Sequence, residues 1–90
     1  MRIEVVGDDT IDRQARTYAE YRVFSALTRC SDQVRRVRVR LRQVKLGSGY
    51  ESTACTVTVA LGSDSVRIRT RGPHAYAAIS RAVAHIAASV

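Results

Sequence analysis

Ninety residues, 46% of them apolar, are enough for one small core and too few for a second domain, and no apolar run approaches the length of a membrane span or forms the centre of a secretion signal. The formal net charge is +7 and arginine supplies most of it. The excess is local: residues 1–32 carry a net −1, residues 33–72 a net +7 and residues 73–90 a net +1. Cationic charge gathered in one segment is the footprint of a nucleic-acid binder, and also fits an anionic membrane surface or an acidic protein.

Arg2 to Val6 alternates as a short strand, with Ile3 and Val5 inward and Arg2 and Glu4 outward, closed by Gly7-Asp8-Asp9. Asp9 or Thr10 is placed to cap a helix, with Asp12 in its positive first turn. From Ile11 to about Arg29 the apolar residues Ile11, Ala15, Tyr18, Ala19, Val23, Ala26 and Leu27 recur at helical spacing, opposite Arg13, Arg16, Glu20 and Arg29. Ser31-Asp32-Gln33 breaks the pattern.

Two of the next three segments put an arginine at every second position. Arg36, Arg38, Arg40 and Arg42 alternate with Val37, Val39 and Leu41, and Arg67, Arg69 and Arg71 alternate with Val66, Ile68 and Thr70. Between them, Thr53 to Leu61 turns Cys55, Val57, Val59 and Leu61 inward and Ala54, Thr56, Thr58 and Ala60 outward. A meander of the three would hold two arginine rows about 10 Å apart over a floor of small residues, near one Debye length at physiological salt. After Arg42 the parity flips, because Val44 and Leu46 stand where arginines stood; a bulge near Gln43 and a strand end both account for it. Gly47 to Ser52 reads as a hairpin loop and Gly62 to Ser65 as a tight one. Gly72-Pro73 stops the last strand and starts a helix at Pro73, with the stripe Tyr76, Ile79, Val83, Ile86 and Val90.

The expected architecture is α+β, in the order β-α-β-β-β-α: a four-stranded mixed sheet with two helices packed on one face, since a strand-helix-strand crossover makes the first two strands parallel and the aliphatic parities point to one side. The other face is left to the arginines. Arg36, Arg38, Arg40, Arg42, Arg67, Arg69 and Arg71 are the candidate RNA-binding residues, with Lys45 and Arg81 secondary, because a solvated face rarely needs one charge sign throughout and the guanidinium fork matches phosphate. His74 and His85 lie seven and four residues from Arg81 on the same predicted helix; Tyr21 and Tyr50 fit partly exposed aromatics, with stacking on a base as the alternative, and Tyr18 and Tyr76 belong to the apolar stripes.

Catalysis finds little support. The acids are scattered, neither glycine cluster opens a helix as a phosphate loop does, and no nucleophile stands near a base, so the chain is expected not to be an enzyme and to need neither cofactor nor small-molecule substrate. Cys30 and Cys55 have no spacing for a metal site or a disulfide framework and fit free thiols in a reducing cytoplasm.

Several segments in this order resemble the ribosome hibernation promoting factors, also called ribosome-associated inhibitors or sigma-54 modulation proteins. They are Ile3-Glu4-Val5-Val6, Tyr18 to Leu27 in the first helix, Val34-Arg35-Arg36-Val37-Arg38-Val39, and above all Gly72-Pro73-His74-Ala75-Tyr76-Ala77-Ala78-Ile79, which is similar to the family's Gly-x-Asp-x-Tyr-Ala-Ala-Ile-Asp. The resemblance spans nearly the whole chain and implies a factor that sits on the small ribosomal subunit. There it would touch ribosomal RNA in the channel used by messenger and transfer RNA, and so block translation in idle ribosomes. It implies the short kind, residues 1–90 being a single hibernation-factor-like domain without the C-terminal ribosome-dimerisation domain of long members. His74 and Ser80 replace the family's two acids, and the family's Lys-rich closing helix carries only Arg81 here. Two other readings fit the composition: an interaction module docking an acidic protein on its arginine face, and a general RNA or DNA binder.

Overall fold

Alternation within the strands decides the layering. The computed structural model describes residues 1–45, 47 and 49–89, and in it β1 (Arg2–Gly7), β2 (Arg36–Lys45), β3 (Glu51–Leu61) and β4 (Asp64–Gly72) form one sheet in the order β1-β2-β3-β4. The first pair is parallel and the other two antiparallel. Helices α1 (Arg13–Leu27) and α2 (Ala75–Ser89) cover the face to which Val37, Val39, Leu41, Cys55, Val57 and Val59 point, and these six join Val23, Leu27, Ile79 and Ile86 in one buried core. Fold class and element order are those expected.

Local chemistry moves several boundaries. Asp8 bonds the amide of Thr10 at 2.9 Å, and the Arg16 guanidinium donates to the carbonyls of Gly7 and Asp8 at 3.0 and 3.1 Å. This tied loop carries the chain one turn further, so Asp12, not Asp9 or Thr10, caps α1: its carboxylate accepts from the Ala15 amide at 2.7 Å. Ile11 still enters the core, from the loop and not from the helix. A 3-10 turn (Thr28–Cys30) follows α1.

The flip after Arg42 is neither bulge nor strand end. Pairing runs unbroken from Arg36↔Ala60 to Lys45↔Glu51, so β2 continues and Glu51 and Ser52 belong to β3, not to the loop. Leu46 and Ser48, which figure in the parity and loop readings, lie outside the described residues, as does Val90. Gly62 opens the β3–β4 turn with φ +61°, the conformation a type II′ hairpin places at its first central residue.

α2 starts at Ala75, two residues beyond Pro73. His74 caps it: Nδ1 accepts from the Ala77 amide at 3.2 Å and its carbonyl from the Ala78 amide at 3.2 Å. Gly72 permits this junction, since a Cβ there would stand 2.6 Å from the Ala78 nitrogen. An imidazole nitrogen is a weaker cap than a carboxylate at a positive helix end. His74→Asp is therefore expected to raise stability by about 0.5–1 kcal/mol, read as a higher urea midpoint at unchanged slope; an unchanged midpoint would reject the cap assignment.

Buried Ala15 and Ala19 on α1 and Ala78 and Ala82 on α2 keep the helices close. At their shared rim Tyr18 and Tyr76 meet edge to face, centroids 5.1 Å apart, and Tyr76 is 37% exposed where a core position was expected. The Tyr18 hydroxyl lies 3.1 Å from the Ser80 hydroxyl and accepts from Arg22, whose guanidinium also covers the ring at 5.4 Å. Ser80 first, then Arg22, holds the Tyr18 phenol below its ordinary value.

Candidate nucleic-acid interface

The face opposite the helices is built by register. β3 runs down its middle, and each outward residue of β3 from Ala54 to Ala60 has an outward residue of β2 on one side and of β4 on the other. Three rungs result: Arg38–Thr58–Arg67, Arg40–Thr56–Arg69 and Arg42–Ala54–Arg71. A fourth, Arg36–Ala60–Ser65, has one arginine. Across a rung the arginine backbones are about 10 Å apart, and successive rungs are about 7 Å apart. All seven of these arginines are exposed, and the four floor residues are half-buried. Two like charges about 7 Å apart repel by about 0.6 kcal/mol in bulk water, so a polyanion laid on the face relieves several such repulsions together.

Parallel pairing with β1 adds Arg2, in register with Arg36, and Glu4, in register with Arg38. Arg2 was not among the expected site residues. Its outward parity was readable, but its place beside Arg36 follows only from the register. Among the described residues Glu4 is the one acid aligned with the arginine rows. At the other end Asp8 feels Arg42: the bonds from Thr10 chiefly, then Arg16 and Arg42, hold its carboxyl below the usual carboxylate range.

The two secondary candidates stand apart from the rows. Because β2 has no bulge, Lys45 shares the parity of Val39 and Leu41 and belongs to the helix side of the sheet, exposed at the strand end. Arg81 projects from α2 to the free edge of β4, where it donates to the Arg71 carbonyl at 2.5 Å. It borders the face without lying on it. Tyr21 and Tyr50 are 67% and 73% exposed, Tyr21 on α1 across the sheet and Tyr50 in the β2–β3 loop. His74 serves the helix cap, and His85 is exposed on α2.

The small floor leaves a depression of about 410 Å³ between the rows, lined by Arg40, Arg42, Ala54, Thr56, Arg69 and Arg71 with the backbone of β4. Cys55 lies directly beneath, and burial pushes its thiol up to about 11; Cys30 is half-buried. Among the described residues no three His, Cys, Asp or Glu side chains gather as metal ligands, and no helix is long and apolar enough to cross a membrane.

Fold and face together define a small α+β domain that carries its charge on an open sheet. Among solved structures it is similar to a ribosomal subunit interface protein from Coxiella burnetii, with a TM-score of 0.78 and 15% identity over 99% of this chain and 92% of that one. It is similar also to the N-terminal domain of Protein Y from Thermus thermophilus, with a TM-score of 0.75 and 21% identity over 99% of this chain and 94% of that one. Both neighbours match the hibernation-factor resemblance, and at these identities they establish the fold. By sequence, no family model and no curated protein matches the chain.

Proposed function

We propose that this chain is a ribosome-associated hibernation factor that binds ribosomal RNA of the small subunit through its arginine face and blocks the channel of messenger and transfer RNA by filling it. The observation that carries the reading is the set of arginine rungs on a fold shared with a ribosomal subunit interface protein and with Protein Y. Seven exposed arginines in two rows offer bidentate donors to phosphate along a path of four rungs, three of them with an arginine on both sides. Such a factor works in the cytoplasm, by occupancy, without cofactor or turnover. The interaction-module reading requires an acidic protein to meet the same two rows, and two rows at regular spacing match the periodic charge of a nucleic-acid backbone more directly.

Sedimentation through a sucrose gradient tests the proposal. The protein is expected to travel with small subunits or whole ribosomes and to leave them as salt rises; engagement of about five to seven phosphates gives a log–log slope of about −3.5 to −6. Protein found only at the top of the gradient, or a slope near zero, would reject it.

A further inference from the structure

The arginine rows border a trough, and its dimensions select the form of nucleic acid that enters it. We infer that the trough seats the backbone of one unpaired strand, one phosphate per rung, and not a double helix; the inference rests on the ribosomal RNA reading and narrows it to single-stranded segments.

The first argument is spacing. Rungs follow one another at about 7 Å, every second residue of a strand. The rise of about 3.4 Å per nucleotide in a stacked helix is measured along the helix axis; along the strand itself the phosphates stand farther apart, so a sugar-phosphate chain can meet one rung per phosphate. A strand free of pairing can follow the straight line of the rungs, whereas in paired RNA each strand winds around the axis and leaves that line.

The second argument is width. Each arginine row stands about 5 Å from the line of Thr58, Thr56 and Ala54. Guanidinium groups from both sides therefore converge on a phosphate lying over that line, as in the rung Arg40–Thr56–Arg69. The depression of about 410 Å³ is deepest in meaning here: Ala54 and Thr56 are too short to fill the space between the arginines, which leaves it for a sugar-phosphate chain. A duplex, wider than the trough, would rest on the rims and leave the floor untouched.

The third argument concerns bases. Outward positions of the four strands carry no aromatic side chain among the described residues, so the sheet offers no aromatic stacking platform for bases. Recognition is of the backbone, and the bases point away from the sheet. Hydroxyls of Thr56 and Thr58 line the floor as donors to phosphate or sugar oxygens.

Fluorescence anisotropy at low salt with end-labelled oligouridylate, oligoadenylate and a blunt RNA duplex tests this directly. Affinity is expected to climb with strand length up to about four nucleotides and to level off after it. The single strands should bind about tenfold tighter than the duplex, and oligouridylate and oligoadenylate should agree within about threefold. On an isolated short strand a slope of about −2 corresponds to three phosphates on the single-strand coefficient, shallower than on the ribosome, where the bordering Arg2, Arg36 and Arg81 meet further phosphates. Arg40→Gln with Arg69→Gln should weaken strand binding by at least about tenfold, and Arg13→Gln with Arg29→Gln should not.

A duplex bound as tightly as the single strands would overturn the inference, and so would a strong preference for one base. If no oligonucleotide binds while the protein still sediments with ribosomes in a salt-dependent way, the strand inference falls and the ribosomal reading stands. If strands bind as expected but ribosomes do not, the trough stands and the ribosomal reading falls.

Discussion

Replacing Arg38, Arg40, Arg67 and Arg69 by Gln is expected to lower affinity for the ribosome by about a thousandfold, since each charge-assisted contact to phosphate contributes about 1 kcal/mol and the four sit on two separate strands. Folding should survive. These side chains are exposed, so no packed atoms leave the core, and removal of like charges relieves repulsion. The control must match in charge without touching structure. Arg13 and Arg29 serve, being exposed on the helix side, whereas Arg16 does not, because it holds the Gly7 and Asp8 carbonyls. Cosedimentation of the pair Arg40→Gln and Arg69→Gln against Arg13→Gln and Arg29→Gln compares two variants of equal net charge. A helix pair that proves as damaging as the sheet pair would show that overall charge, not the face, drives association.

Inhibition of translation is expected to be stoichiometric. In a reconstituted assay it should saturate near one protein per ribosome and weaken when messenger and initiator transfer RNA are bound first, since both then contend for the same space. An agent that fills a channel cannot silence more ribosomes than there are copies of it. Progressive, time-dependent inactivation at about one protein per hundred ribosomes would mean turnover, and would overturn the occupancy mechanism together with the expectation that the chain is not an enzyme.

His74 and Ser80 stand where the resembling family has acids, and the structure gives each a local task. His74 caps α2 and Ser80 ties Tyr18 across the helix pair. Neither lies on the arginine face, so these departures change how the helices are held and leave the rungs intact.

Much of this was legible in the residues because the deciding physics is local. Period two in Arg36–Arg42 and Val66–Arg71 assigns each side chain to a face wherever the strands lie, and the run from Thr53 to Leu61 supplies a small outward row by the same rule. One face was therefore readable as aliphatic and the other as arginine before any pairing was known. What remained depended on contacts between segments distant in the chain. The start of α1 at Arg13 reflects Arg16 tying down the preceding loop, and the start of α2 at Ala75 reflects the close approach of Gly72 to Ala78. The continuation of β2 through Lys45 reflects hydrogen bonding to β3, which carries Lys45 to the helix side although its neighbours in sequence suggested otherwise. Arg2 joins Arg36 only because β1 pairs parallel to β2 in that register. Periodicity specifies which way a side chain points, but which side chains stand beside one another is decided by strand register, and register is settled by the packing of the whole sheet against its helices.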